Sequence, residues 1–295
     1  MRLSEQSRVQ NQITYLTNAA ERMDRVQRQL STNRRIDRAS DDPTGAALTM
    51  QYRQAIAFET QMRRNIAYGT AFLDTTEAAL GSATEVLHRV RELTVQAAND
   101  TLGPTERQGI AREVNQLVEQ LAQIANTTFG GVHIFSGHKT DTPAYLVTGT
   151  PPTQITWQNG TGQREIQISA GETVPINLIG QTVFGNLFDR LLALRDALQT
   201  GSPGAQINPY LADIDAGLDR VLTARAEVGA RLNRLDATTS RSEATDTNLQ
   251  ELRAGIEDID IADTIVRFTA AQNALQAALG AIGRTSNLTL LDFLR

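Results

Sequence analysis

The chain contains 295 residues, of which 40% are hydrophobic but only 5% aromatic, and its formal net charge is -5. This length allows two or three domains, and the scarcity of aromatic residues favours long helices packed through small and aliphatic side chains. The small negative charge argues against non-specific nucleic-acid binding. The lack of cysteine excludes disulfides, zinc-thiolate sites and cysteine nucleophiles.

The first segment predicts a long helix. Apolar and amide residues recur three and four positions apart through residues 1 to 38, as in the seam of a coiled coil. The seam includes Ile13, Leu16, Met23 and Leu30. An ordinary amphipathic helix of a bundle would show the same spacing, so the pattern alone leaves both interpretations open.

A joint follows at Asp41, Asp42 and Pro43. Aspartate can cap the N-terminus of a new helix, and proline is tolerated in its first turn. Positive charge precedes the joint at Arg34, Arg35 and Arg38. We expect these arginines at the C-terminal end of the first helix, where positive charge suits the helix dipole. The paired aspartates are interpreted as a capped linker rather than as a catalytic pair.

Two further segments predict long helices that form a rod. The heptad spacing runs unbroken from residue 48 to 97, which corresponds to one helix of about 50 residues. Gly103 and Pro104 end it, and a helix around residues 110 to 124 should fold back antiparallel. Helical spacing returns at residues 184 to 199 and again at 211 to 256.

The second of these long seams turns polar at Thr239, Ser242 and Asp246. Either the helix is solvated there, or these side chains meet polar groups of a neighbour. Residues 257 to 263 then reset the heptad phase, which predicts a bend before the last helix.

The region between the helices has a different character. From residue 129 to 183 glycine, threonine and proline are frequent and the apolar runs are short, which predicts a small β-rich domain. The expected strands are residues 144–147, 155–157, 165–168 and 174–178, with a hairpin turn at residues 159–162. His133 and His138 lie at the entry, but without a third histidine or an acidic cluster they do not indicate a metal site.

The stretch from Phe268 to Leu291 carries Arg284 as its only charged residue. A helix packed on one side alone should have a charged outer face, so this helix is expected to meet protein on several sides. The predicted seam residues are Ile265, Phe268, Leu275, Leu279 and Ile282. Together with the four seam residues near the N-terminus, they are our candidates for an assembly surface.

The last residues of the chain are strongly apolar. The large side chains are Leu288, Leu290, Leu291, Phe293 and Leu294. They either cap the terminal coiled coil or also form a recognition site for a partner.

The sequence contains none of the common catalytic or nucleotide-binding motifs. The sequence has no GxxxxGK[ST], HExxH or GxSxG motif, and Gly160-Thr161-Gly162 is not a dinucleotide-binding loop. We therefore expect no enzyme activity, no cofactor and no metal. The N-terminus lacks the apolar core of a secretory signal, and no apolar run approaches the roughly 20 residues that cross a bilayer, so we expect no membrane partner.

Three separated segments resemble bacterial flagellins and flagellin-like axial proteins. They are QLSTNRRIDRASDDPTGAA (29–47), RAEVGARLNRLD (225–236) and IEDIDIADTIVRFTAAQNALQAALGAIGRTSNLTLLDFL (256–294). Within the family, FGGVHIFSG (129–137) and LTLLDFL (288–294) resemble the members that form the junction between hook and filament. A minor or short flagellin is the alternative, and a cytoplasmic coiled-coil adaptor is a third.

The resemblance implies a mainly α fold, with a long antiparallel helical rod, paired termini and a small β-rich domain at the tip. The expected domains are a terminal coiled coil (1–42 and 260–295), a rod (43–128 and 184–259) and an outer β-rich domain (129–183). The implied role is an extracellular structural subunit, exported through the flagellar type III apparatus without a cleaved signal. Its implied partners are a ring of its own copies, the other hook-associated junction protein, flagellin and a cytoplasmic export chaperone.

Overall fold

The computed structural model describes residues 2–99, 101–158 and 160–293, with side chains described for all of these except 2–6, 8, 9 and 284–293. The helices are α1 (Arg2–Thr32), α2 (Pro43–Ala97), α3 (Pro104–Ala125), α4 (Gly180–Phe184), α5 (Leu187–Gln199), α6 (Gly204–Ile207), α7 (Pro209–Glu257) and α8 (Ile261–Phe293). The strands are β1 (Thr128–Phe129), β2 (Val132–His133), β3 (Tyr145–Thr148), β4 (Gln154–Trp157), β5 (Glu165–Ser169) and β6 (Glu172–Pro175).

The chain forms two compact units. The first consists of Met1–Phe58 with Ala244–Arg295, and the second of Glu59–Glu243. Helices α2 and α7 contribute residues to both units. The β-hairpins belong to the second unit, where they share one hydrophobic core with the helices. The mainly α fold class with paired terminal helices and a small β-rich region is confirmed.

Helix α1 ends earlier than predicted. The expected helix continued to residue 38, but α1 stops at Thr32 and Asn33 adopts a φ of 57°. Asparagine tolerates this left-handed conformation better than most residues and commonly terminates helices in it. The following residues therefore leave the helix and become available for contacts elsewhere in the first unit.

Helices α2 and α7 run antiparallel through the second unit. Arg91 Nε donates to Asp215 Oδ1 at 2.6 Å, and Arg225 Nη2 donates to Glu77 Oε1 at 2.6 Å. As residue numbers rise along α2, those of its partners on α7 fall. These exposed or half-exposed pairs contribute little energy, so apolar residues between the helices supply most of the stabilisation.

The polar part of the predicted α7 seam meets a polar neighbour at Ser242. Ser242 is buried, and its Oγ donates to Glu59 Oε2 at 2.6 Å. Thr239 instead donates to the carbonyl of Leu235 in its own helix. Of the two alternatives left open by the sequence, a polar contact with a neighbouring helix is therefore observed at Ser242.

Helix α3 folds back on α2, as the glycine-proline pair predicts. Arg89 Nε donates to Glu113 Oε1 at 2.8 Å across the two helices. Arg107 is buried, and its guanidinium donates to the carbonyls of Ala97 and Asn99. Ala97 is the last residue of α2, so its carbonyl has no partner within the helix and Arg107 satisfies it. The Asn99 carbonyl, in the turn after α2, also accepts from the N–H of Leu102 at 3.3 Å.

Among its described residues, the β-rich region forms three separate antiparallel hairpins. They are formed by β1 with β2, β3 with β4, and β5 with β6. The first turn is made by Gly130 and Gly131, both with positive φ, as a two-residue hairpin of type I′ requires. The fourth predicted strand is shifted, since β6 covers Glu172–Pro175 rather than residues 174–178.

The hairpin turn predicted at residues 159–162 is wrong. This segment connects β4 to β5, and these two strands belong to different hairpins. Asn159 itself lies outside the described residues. The carbonyl of Thr161 accepts from the backbone N–H of His138 at 3.0 Å, and Gly160 lies so close to Ser136 that a Cβ would stand 1.9 Å from its carbonyl oxygen. The glycines therefore permit a close backbone crossing rather than a turn.

The helix predicted over residues 184 to 199 begins three residues later, at Leu187. Helix α4 ends at Phe184 and α5 begins at Leu187, because Gly185 adopts a φ of 54° that breaks the helix. On either side of this break, Phe184 and Phe188 pack against each other and against Tyr145 of β3. These buried rings join the hairpin to the helical core.

Candidate assembly surface

The two terminal helices pack against each other in antiparallel orientation. Arg34, just after α1, forms an isolated antiparallel bridge with Asp258, just before α8. The end of α1 therefore lies beside the start of α8. Further along, Ala19 and Val26 of α1 face a space that is also lined by Ala271 and Ala274 of α8.

The seam of α1 combines predicted and unpredicted positions. Leu16, Met23 and Leu30 are half-buried, as expected for seam residues. Between them, Ala19 is buried and Val26 half-buried. The predicted seam contained residues 13, 20 and 27 at these intervening positions, but all three are exposed, with Ile13 51% exposed.

The seam of α8 shows the same difference. Phe268, Leu275 and Ile282 are half-buried. The intervening positions are taken by small residues, namely Thr264, Ala271 and Ala278. Ile265 and Leu279 were predicted in the seam but are 50% and 53% exposed.

Small residues explain why the observed seam differs from the predicted one. Alanine and threonine allow two helix backbones to approach more closely than isoleucine or leucine would, while the larger residues at every seventh position fill the remaining space. The spacing of three and four is satisfied equally well when the intervening seam position moves by one residue. In the packed helices, small residues occupy the intervening seam positions, and the large residues predicted there lie outside the seam.

The outer surface of α8 consequently carries several large apolar side chains, whereas that of α1 also carries the exposed charged residues Glu21, Arg22, Asp24 and Arg25. Ile261, Ile265, Val266 and Leu279 of α8 are at least half exposed. Ile13 and Tyr15 add exposed apolar surface on α1. Large exposed apolar patches usually mark sites of contact with other proteins.

The apolar C-terminal residues cannot be placed on this surface. The backbone of Leu288, Leu290, Leu291 and Phe293 lies within α8, but their side chains are outside the described residues. Leu294 is outside the described residues altogether.

The Asp-Asp-Pro joint starts α2 as the sequence predicts. Helix α2 begins at Pro43, and Asp42 Oδ1 accepts from the N–H of Gly45 at 2.9 Å. This hydrogen bond and the Arg35 guanidinium hold the pKa of the Asp42 carboxyl below its ordinary value. Asp41 Oδ2 accepts from the N–H of Arg38 at 2.9 Å and so stabilises the preceding turn.

A buried carboxylate lies next to this joint and was missed by the sequence analysis. The side chain of Glu257, the last residue of α7, is only 3% exposed. Arg34 Nε lies 2.8 Å from its Oε1, and Arg53 of α2 donates to the same oxygen. Arg253 lies 3.9 Å from the other oxygen. The arginines provide the compensation that a buried negative charge needs.

Arg35 connects the same elements through the backbone. Its N–H donates to the carbonyl of Glu257 at 2.6 Å, and its guanidinium donates to the carbonyl of Ile256 at 2.8 Å. The same guanidinium pairs with Asp42 at 3.2 Å. Arg34 and Arg35 therefore act at the C-terminal end of α7, and the expectation that they serve the dipole of α1 is wrong.

A sequence signal for this network existed but was ambiguous. The arginines of residues 34 to 38 lie at the joint that follows α1. The acidic residues of 257 to 263 lie at the joint that precedes α8. Opposite charge at two joints suggests a contact between them. Only the pairing of α1 with α8 brings the joints together, because more than 200 residues separate them in sequence.

The described part of the chain has no candidate metal site. Within it, no group of three or more histidine, cysteine or acidic side chains is placed to hold a metal ion. His133 Nδ1 hydrogen-bonds with the carbonyl of Asn126 at 2.9 Å. Among the described residues, no helix is both long and apolar enough to span a membrane.

Paired terminal helices that expose large apolar side chains, most of them on α8, define a subunit whose surface other protein chains can cover, as in axial assembly proteins. Two family models identify the particular family. The bacterial flagellin N-terminal helical region matches residues 3–140, and the bacterial flagellin C-terminal helical region matches residues 211–294. Together they cover well over half of the chain, which therefore belongs to the bacterial flagellin family.

Individual relatives include both filament and hook-associated proteins. Flagellin FlaB1 of Treponema pallidum is 29% identical over 269 residues, covering 90% of each chain. Flagellar hook-associated protein 3 of Escherichia coli is 27% identical over 319 residues, covering 99% of each chain. The structure of a flagellar hook-associated protein from Vibrio parahaemolyticus has a TM-score of 0.69 and 24% identity, and covers 74% of this chain and all of that one. At this identity the structural likeness supports the fold alone.

The seam assignment can be tested with two neighbouring alanines. We expect Ala19→Leu to force α1 and α8 apart, because overpacking a buried position costs about 1–3 kcal/mol. Ala20→Leu changes the same atoms at an exposed position and should cost less than about 0.5 kcal/mol. The measurement is hydrogen exchange in α1 and α8 of the full chain, supported by thermal unfolding followed by circular dichroism. Equal or reversed effects would restore the seam predicted from sequence.

The Glu257 network can be tested by removing its charge. Glu257→Gln keeps the shape but leaves Arg34 and Arg53 without their carboxylate. Because both arginines are about half exposed, we expect a loss of about 1–3 kcal/mol rather than the full cost of a broken buried pair. Trypsin cleavage after Arg34, Arg35 and Arg38 should also become faster. The control is Glu251→Gln, an exposed position of the same helix. Unchanged cleavage in the Glu257 variant would show that the network does not order the joint.

Proposed function

We propose that this chain is a structural subunit of the junction between the hook and the filament of the bacterial flagellum. The observation that carries the proposal is the match with hook-associated protein 3, which extends over 99% of both chains. The matched fold of a hook-associated protein agrees with it. The exposed apolar side chains of α8, with Ile13 and Tyr15 of α1, supply the surface by which copies of the chain would contact each other.

A filament subunit is the second candidate. The match with FlaB1 of Treponema pallidum has a slightly higher identity, although it covers less of both chains. Both candidates are structural proteins of the flagellum, and neither requires an active site. We therefore propose a structural rather than an enzymatic role, at the hook-filament junction outside the cell.

The proposed neighbours follow from this location. Copies of the chain would form a ring, with the other hook-associated junction protein on the hook side and flagellin on the filament side. Exposed Ile13, Ile265 and Leu279 would face neighbouring copies, whereas Leu16, Met23, Leu30, Phe268, Leu275 and Ile282 join the two ends of one chain. In this assembly we propose the three-part division stated above: terminal coiled coil, rod and outer β-rich domain, with Asp41, Asp42 and Pro43 as the joint.

The location can be determined by labelling intact flagella. An epitope inserted in the exposed turn at residues 149–150 should bind gold-labelled antibody only at the boundary between hook and filament. Deleting the gene should leave hooks without filaments and release flagellin into the medium. Label along the whole filament would favour the filament-subunit alternative, and label confined to the cytoplasm would favour the coiled-coil adaptor.

Export would depend on the apolar C-terminus. We propose that a cytoplasmic chaperone binds Leu288, Leu290, Leu291, Phe293 and Leu294 before the chain enters the flagellar type III apparatus. A few buried apolar side chains commonly dominate such contacts. Replacing Leu288, Leu290 and Leu291 with alanine should weaken co-purification of the chaperone at least about tenfold. Replacing Thr285, Ser286 and Thr289 with alanine is the matched control. Equal chaperone binding by both variants would count against the proposed contact.

A further inference from the structure

The outer edge of strand β3 faces an open slot in the second unit. The slot has a volume of about 460 Å³ and lies between this edge and the C-terminal half of α3. Val147 and Gly149 line it from the hairpin, and Glu119, Ala122 and Gln123 line it from the helix. A space beside a strand edge is the kind of site in which an extended peptide can add a further strand.

The alternation along β3 identifies the backbone groups that face the slot. The N–H of Gln158 donates to the carbonyl of Ala144 at 3.0 Å, so the backbone of Ala144 faces β4. Residues of an antiparallel pair alternate in direction, and the N–H and C=O of Tyr145 therefore point to the outer edge. Two residues further on, the N–H and C=O of Val147 point to the same edge, where Val147 lines the slot.

One position of this edge is occupied by a side chain that imitates a strand. Asn126 Oδ1 accepts from the N–H of Tyr145 at 2.9 Å, and Asn126 Nδ2 donates to the carbonyl of Tyr145 at 2.8 Å. A residue of a neighbouring strand would form the same two hydrogen bonds. At Val147, the next outward position, no described residue forms them. Such edge groups are a template for another strand.

A carboxylate is held in a fixed orientation at the side of the slot. The buried guanidinium of Arg195 donates from Nη1 to Asn115 Oδ1 at 3.1 Å. Asn115 Nδ2 in turn donates to Oε1 of the half-buried Glu119 at 2.7 Å. Because these bonds engage one carboxylate oxygen of Glu119, the second oxygen can accept from a ligand. An oriented carboxylate is a good partner for a lysine or arginine side chain.

The slot continues into a larger groove along the same helix. This groove has a volume of about 840 Å³, and Glu119 and Pro152 line both spaces. The exposed Gln116 lines the groove, and its amide can pair with a peptide backbone as the amide of Asn126 does. A peptide that begins at the β3 edge therefore has room to continue along α3.

We infer that the slot binds an extended segment of another polypeptide that carries a lysine or arginine. The backbone of the segment pairs with Val147 and so continues the edge that Asn126 begins. Its basic side chain pairs with Glu119, whereas an acidic side chain is repelled. The side chain of Val147, which is 39% exposed, supplies an apolar contact. The inference does not depend on the proposed role at the hook-filament junction.

The test uses the full-length protein and three fluorescein-labelled peptides. The first is a short peptide of alternating threonine and valine with one lysine at its centre. The second has glutamate in place of the lysine, and the third is the lysine peptide with N-methyl groups on its backbone nitrogens. We expect saturable fluorescence anisotropy with the lysine peptide and a dissociation constant of about 0.1–1 mM. The other two should bind at least about tenfold more weakly, through charge repulsion and through lost backbone pairing.

Two variants locate the binding. Glu119→Gln should weaken the lysine peptide at least about tenfold, because a charge-assisted hydrogen bond is lost. Glu113→Gln makes the same change on the same helix outside the lining of both spaces and should bind normally. Val147→Pro removes an N–H that the β3–β4 ladder does not use, so it should weaken the peptide without lowering the melting temperature of the free protein. Should this variant unfold, the N-methylated peptide tests the same backbone pairing on the unaltered chain.

Several results would overturn the inference. They are a lack of saturable binding by the lysine peptide, equal binding of the glutamate or N-methylated peptide, and unchanged affinity in the Glu119 variant. A dimer of the free chain in sedimentation that Val147→Pro abolishes would assign the edge to a second copy instead.

Discussion

The arrangement of the first unit depends on the ion pairs made by the buried carboxylate of Glu257. A negative charge removed from water is costly unless positive groups compensate it. The compensation comes from Arg34, in the linker after α1, and from Arg53 of α2. Arg35 adds hydrogen bonds to the last carbonyls of α7 and an ion pair with Asp42 at the start of α2. One cluster therefore ties the end of α1, the start of α2 and the end of α7, and α8 begins four residues after Glu257.

Antiparallel pairing of α1 and α8 follows from this joint. The small residues Ala19, Ala271 and Ala278 lie in the seam, which allows the two helices to pack closely. The large residues Ile265 and Leu279 remain outside. A single chain thus uses small side chains to join its own ends and presents its larger apolar ones to the surroundings. Such a division suits the assembly surface proposed for the terminal helices.

Several elements could be predicted because their signals are local. The Asp42-Pro43 start of α2 was correct, and Gly103-Pro104 lies between α2 and α3 as the predicted break does, since capping and proline geometry act within one helical turn. The strands β3, β4 and β5 also fell where short apolar runs predicted them. Their pairing failed at residues 159–162, because the glycines there serve a close crossing with residues 136–138, which a turn motif cannot reveal.

The sequence by itself determined the family, the positions of the long helices and the scarcity of charge in the C-terminal one. These features depend on residue type and spacing along one element, which are visible without a fold. Only the tertiary structure decided which of two adjacent alanines, Ala19 or Ala20, enters the seam, because both satisfy the same helical period. It also decided that Arg34 and Arg35 serve the end of α7, since partners more than 200 residues away are chosen by packing and by the need to neutralise a buried charge.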